Sequence, residues 1–179
     1  MDARSLNAGR WGLERALRAA RRIEGDRRAL KTLVETMFGD DPELRKRSAD
    51  VARRITEADV TPLLPYANEM AGLLAELSPA ESRTRWHLGL VVARTAHTRE
   101  QRLRAARLME LLIEDESNVA RCSAVEGIGL LASEEPSLRG VAEEMIERAL
   151  REGTPAMKAR ARHAKRRLEK AQRLARDLG

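Results

Sequence analysis

LRKRSADVARRI at positions 44–55, TRWHLGLVVART at 84–95, ARCSAVEGIGLL at 120–131 and MKARARHAKRRL at 157–168 read as four versions of one pattern. Each carries a basic residue at its second position: Arg45, Arg85, Arg121 and Lys158. Three residues further on stands a small or apolar residue, Ser48, Leu88, Ala124 or Ala161. Small or apolar positions follow three and seven residues later, as Val51 and Ile55, Val91 and Thr95, Gly127 and Leu131, Ala164 and Leu168. Steps of three and four place all of these on one helix face. The segments start at 44, 84, 120 and 157, so they recur every 40, 36 and 37 residues. A period of that length means one helix pair per repeat.

The other helix of each pair precedes its segment. At 29–38 the stripe is Leu30, Leu33, Val34, Met37 and Phe38. At about 62–77 it is Leu63, Leu64, Ala67, Met70, Leu74 and Leu77. At about 99–114 it is Leu103, Ala106, Met109 (or Leu108), Leu112 and Ile113, and at about 135–151 it is Leu138, Val141, Met145 (or Ala142), Ile146 and Ala149. All follow the spacing of an amphipathic helix. The boundaries carry their own signals. Asp41-Pro42 and Ser78-Pro79 put a capping residue before a proline at the first helical position. Ser78 with Glu81, and Thr98 with Gln101, have the spacing of a capping box. Gly153-Thr154-Pro155 reads as stop, cap and start. Pro65 is expected in a first turn, where its missing N–H costs little.

Composition agrees. Of 179 residues, 42% are hydrophobic and 35% charged, enough for a core under a charged surface. Aromatics are only 2%, namely Trp11, Phe38, Tyr66 and Trp86, which argues against a β-sandwich or barrel. A single cysteine, Cys122, excludes an intramolecular disulfide framework. No stretch approaches the apolar length of a transmembrane helix, and the opening residues lack an apolar signal core. A soluble, cytoplasmic protein is the expectation.

The units GDDPELRKRSADVARRI (39–55) and DESNVARCSAVEGIGLLA (115–132) resemble the turn and second helix of HEAT repeats, and the resemblance covers roughly residues 28–170. It implies an all-α fold: a right-handed α-α superhelix, or solenoid, of about four HEAT-like helix pairs with terminal capping helices. In that family an Asp of the turn commonly pairs with the basic residue of the second helix. Asp115 with Arg121 fits that pattern, and Asp40 or Asp41 with Arg45 fits roughly; Ser78-Pro79 offers no Asp. Residues 1–27 are expected to form a tail and a capping helix with Leu13, Leu17, Ala20 and Ile23 as its stripe. Residues 28–179 are expected to form the repeat domain, all packed as one domain. The first few residues and the last two are expected to lack order.

The resemblance also implies function. Second helices of HEAT arrays line a concave face, which nominates Lys46, Arg53, Arg54, Trp86, Arg94, Arg162, His163 and Arg166 as partner-binding candidates. A protein-binding scaffold, not an enzyme, is the first reading. The net charge of +6 is unevenly placed, with basic ends around an acidic middle, and the run from Lys158 to Arg176 is strongly basic. Binding of nucleic acid by this helix and a basic concave face is therefore the alternative. Activity of the kind shown by HEAT-like alkylpurine DNA glycosylases is a distant third. Those enzymes use aromatic residues and an acidic residue in the groove, whereas only Trp86 is expected there, and Asp50 and Glu126 read as surface charges.

His87, His97 and His163 lack metal-ligand spacing, so no metal or cofactor is expected. Cys122 has no adjacent histidine and reads as a small interface residue. Gly127 and Gly129 lie inside a helical pattern and point to close helix packing. Charge asymmetry also permits head-to-tail self-association, and oligomeric state stays open.

Overall fold

A computed structural model describes Leu6 and residues 9–177. Among these residues there are nine α-helices, three short 3-10 turns and no strand. The order expected for the chain ends concerns residues outside the described ones.

The helices are α1 (Leu13–Ile23), α2 (Arg27–Met37), α3 (Pro42–Ala58), α4 (Ala67–Glu76), α5 (Ser82–Thr95), α6 (Arg99–Leu112), α7 (Asn118–Glu134), α8 (Arg139–Glu152) and α9 (Pro155–Asp177). Local chemistry sets most of their ends. Asp26 accepts from the amides of Arg28 and Ala29, and Asp41 from those of Glu43 and Leu44 ahead of Pro42. Thr98 and Gln101 close a full capping box on α6. The Thr154 hydroxyl accepts from the Met157 amide at 3.4 Å, starting α9 directly after α8. Each such cap satisfies amides that the helix itself leaves without a partner.

Two starts differ from expectation. Pro65 lies not in the first turn of α4 but in a 3-10 turn, Thr61–Tyr66, that precedes it. Ser78 caps only a short 3-10 turn, Pro79–Glu81, accepting from Ala80. Glu81 is drawn away from the box by Arg45, whose Nη1 donates to both of its carboxylate oxygens at 2.8 Å. A charge-assisted bond to another helix outcompetes the local cap.

The matched positions of the four segments fall where the core is. Ser48, Leu88, Ala124 and Ala161 are buried, as are Val51, Val91, Gly127 and Ala164. Thr95, Leu131 and Leu168 are buried too, and Ile55 is half-buried. Leu33, Met37, Leu63, Met70, Met109 and Ile146 from the intervening helices complete the interior. Two apolar residues depart from their stripes. Phe38, one residue past the end of α2, is 42% exposed, and Leu13, at the start of α1, is 57% exposed.

Packing follows chain order: α3 lies on α5, α5 on α7 and α7 on α9, while α2, α4, α6 and α8 each pack on the long helix that follows them. Gly129 and Ala164 mark a close approach of two helix backbones. A Cβ at Gly129 would lie 2.6 Å from Ala164 Cβ, so only glycine lets α7 and α9 come this near. Gly127 likewise faces Met109 of α6.

Ion pairs cross between successive long helices. The expected pairing of each turn Asp with its own second helix is not what forms. Asp115, its side chain 1% exposed, pairs with Arg85 of α5, not with Arg121, and also accepts from the Ser117 amide. Arg45 reaches forward to Glu81, and touches its own turn only at the Gly39 carbonyl. Asp41 is occupied as a cap. The basic residue thus clamps its own helix to the turn of the next pair.

Candidate functional site

Lys46, Asp50 and Arg54 are spaced four apart and so lie along one side of α3; Arg83, Trp86 and His87 occupy one turn of α5. The packing of α3 on α5 sets these two rows side by side. Residues 9–13 cross in front of them and carry Trp11 into the gap. The result is a cleft of about 460 Å³ at the N-terminal end of the molecule.

Asp50 forms its floor. It is 7% exposed, accepts from Trp11 Nε1 at 3.0 Å and lies 3.4 Å from Arg54 Nε. It is therefore a buried anion, not the surface charge expected from sequence. His87, also buried, holds Nδ1 3.7 Å from Asp50. Burial is the main cause that depresses the His87 pKa from 6.5 to about 4; the Asp50 carboxylate opposes this, and Arg53, Arg54 and Arg83 add to it. The ring is neutral near pH 7.

Both indoles are already dressed. The guanidiniums of Arg15 and Arg47 lie 5.9 and 5.5 Å from the Trp11 ring centre. Arg53 lies 4.7 Å from that of Trp86, whose ring stacks on His87 at 4.4 Å. Such cation–π contacts fix the rings as walls. Glu43 on the outer edge pairs with Lys46 and Arg47, and Arg47 also donates to the Leu6 carbonyl.

Beyond the cleft a row of alternating charges runs across the long helices. Glu57 of α3 lies 3.0 Å from Arg54 and 3.4 Å from Arg53. Arg94 of α5 stands 3.9 Å from Glu57 and 3.7 Å from Glu126 of α7, and Arg160 of α9 reaches Glu126 at 2.9 Å. Burial lowers the pKa of Arg53 and Arg94 from its ordinary value, which the facing carboxylates counter.

The candidates chosen from sequence divide accordingly. Lys46, Arg54 and Trp86 line the cleft, and Arg53 and Arg94 sit beside it in the paired row. Arg162, His163 and Arg166 are exposed on α9, where Arg166 and His163 meet at 3.0 Å. Helical spacing turns Arg162 and Arg166 away from the buried stripe of Met157, Ala161, Ala164 and Leu168, so Arg160 is the α9 cation that joins the row. Sequence reasoning missed Arg10, Trp11, Arg83 and His87. The row spacing on α3 and α5 was a usable signal; the arrival of Trp11 was not, because it depends on how residues 9–13 fold back.

Elsewhere Cys122 is half-buried and burial raises its thiol pKa, which makes it a weak nucleophile. Among the described residues no group of His, Cys, Asp or Glu side chains is arranged to hold a metal, and no helix is long and apolar enough to cross a membrane. In comparisons with family models, with curated proteins and with solved structures, the chain matches none.

Proposed function

We propose that this protein is a HEAT-like α-solenoid scaffold that binds a protein partner through the curved face built by α3, α5, α7 and α9. Four matched segments with one buried register, packed in chain order, support the solenoid reading. The observation that carries the functional reading is the charge row. Its cations and carboxylates alternate from Arg54 through Glu57, Arg94 and Glu126 to Arg160. A nucleic-acid duplex laid along such a face would meet carboxylates between its phosphate contacts, whereas a protein surface of mixed sign matches it. Nucleic-acid binding keeps one supporting feature, the exposed basic side of α9 with Arg162 and Arg166. Glycosylase-type catalysis has less support, since Asp50 is already bonded to Trp11 and paired with Arg54.

The test is affinity capture from lysate with and without nuclease treatment, comparing the native chain with Glu57→Lys/Arg160→Glu. Proteins retained by the native chain and lost by the variant support the scaffold. Recovery that disappears with nuclease, or that the variant does not change, overturns it.

A further inference from the structure

The surplus charge of the cleft is not compensated as the rest of the face is. Arg10 and Arg83 line it, are exposed, and have no carboxylate or hydrogen-bond partner among the described residues. Lys46, Arg47 and Arg54 also line it but are paired with Glu43, Asp50 and Glu57, so the uncompensated charge is that of Arg10 and Arg83. The first turn of α1 opens at the same place with Gly12 as N-cap, which offers no side chain to its amides. On the floor, Asp50 Oδ1 and His87 Nδ1 are buried without a hydrogen-bond partner. Leu13 adds an exposed apolar surface at the mouth.

We infer that this cleft anchors an acidic segment of the protein partner, with carboxylates held by Arg10 and Arg83 and an apolar side chain set against Leu13. The inference rests on the protein-partner reading and names the site and chemistry of one contact. Three features select a peptide over a nucleic-acid strand. Guanidiniums lie against both indoles and His87 stacks on Trp86, so a nucleobase would have to compete with contacts already made to stack there. The positive surplus is local, because Glu57 and Glu126 interrupt it beyond the cleft. The exposed Leu13 offers a contact for an aliphatic side chain and none for phosphate.

The chain has two tryptophans, Trp11 and Trp86, and both line the cleft, so intrinsic emission reports on it directly. The full chain is titrated with a short synthetic peptide repeating glutamate, glutamate and leucine, with its glutamine counterpart, and with oligothymidylate. The glutamate peptide should change the emission saturably and more weakly as salt rises; the glutamine peptide should not. Arg10→Gln/Arg83→Gln should weaken binding by at least about tenfold, since two charge-assisted contacts are lost. Arg10→Lys/Arg83→Lys should keep most of it, and Arg162→Gln/Arg166→Gln should match the native chain. Equal binding by the glutamine variant, no saturable response to the glutamate peptide, or tighter binding of oligothymidylate would each overturn the assignment. If captured partners stay bound to the Arg10→Gln/Arg83→Gln variant, this assignment falls while the scaffold stands. If the peptide binds as described but no protein is captured, the scaffold reading falls and the cleft remains an acidic-peptide site.

Discussion

Adding the same methyl group to two glycines should shift stability in opposite directions. Gly129 of α7 faces α9 so closely that an alanine Cβ would lie 2.6 Å from Ala164 Cβ and 3.0 Å from Ala164 Cα. Carbon atoms in good contact stand roughly 3.5–4.0 Å apart, so α9 must retreat by about 1 Å. Ala164 belongs to a helix backbone that is seated by Ala161 and Leu168, both buried, and cannot swing aside as a flexible side chain would. Overpacking costs about 1–3 kcal/mol, and about 2–3 kcal/mol where a helix backbone and not a flexible side chain must move. Alanine gains up to about 1 kcal/mol over glycine inside a helix. Gly129→Ala should therefore lose about 1–2 kcal/mol, a fall in Tm of roughly 2–8 °C for a chain of this size. Gly140 of α8 has no atom within 4 Å of its added Cβ. Gly140→Ala should keep only the helix gain and raise Tm by up to about 4 °C. Circular dichroism melts of the two variants beside the native chain test this. A Gly129→Ala variant that melts at or above the native chain would refute the close approach of α7 and α9.

Leu131→Asp places a carboxylate in a fully buried position and should prevent folding or cost several kcal/mol, read by urea titration. Arg54→Ala, which by sequence looks nearly neutral, should cost about 1–3 kcal/mol, because it removes the cation beside buried Asp50. Asp115→Ala should lose about 3–5 kcal/mol by stranding Arg85 between two helix pairs, whereas Asp40→Ala should change little. His87 has a folded pKa near 4 against 6.5 when free, so the unfolded chain takes up the proton first. Stability from this residue is complete above pH 6.5 and declines as pH falls toward 4, by up to about 3 kcal/mol. Urea midpoints measured from pH 7 to 4.5 should fall less steeply for His87→Gln than for the native chain.

The helices, their caps and their buried faces were legible in the sequence because each is decided within a few residues. Spacing of apolar positions chooses the face, and Asp41, Thr98 or Thr154 beside a first turn chooses the start. The shared spacing of the four matched segments also located core positions, since small and apolar residues on one helix face are the ones that packing buries. Where the reading failed, a partner from another helix had won. Arg45 drew Glu81 out of its capping box, Arg85 took Asp115 from Arg121, and Asp50 went from expected surface charge to buried floor once Trp11 donated to it. The cleft itself belongs wholly to tertiary structure. Arg10, Trp11, Asp50 and Arg83 come from three separate segments, and their charges act on one another only after α3, α5 and residues 9–13 have been brought within a few ångströms. Local spacing encodes what neighbours along the chain can enforce; electrostatic pairing depends on distance through space, and only packing sets that distance.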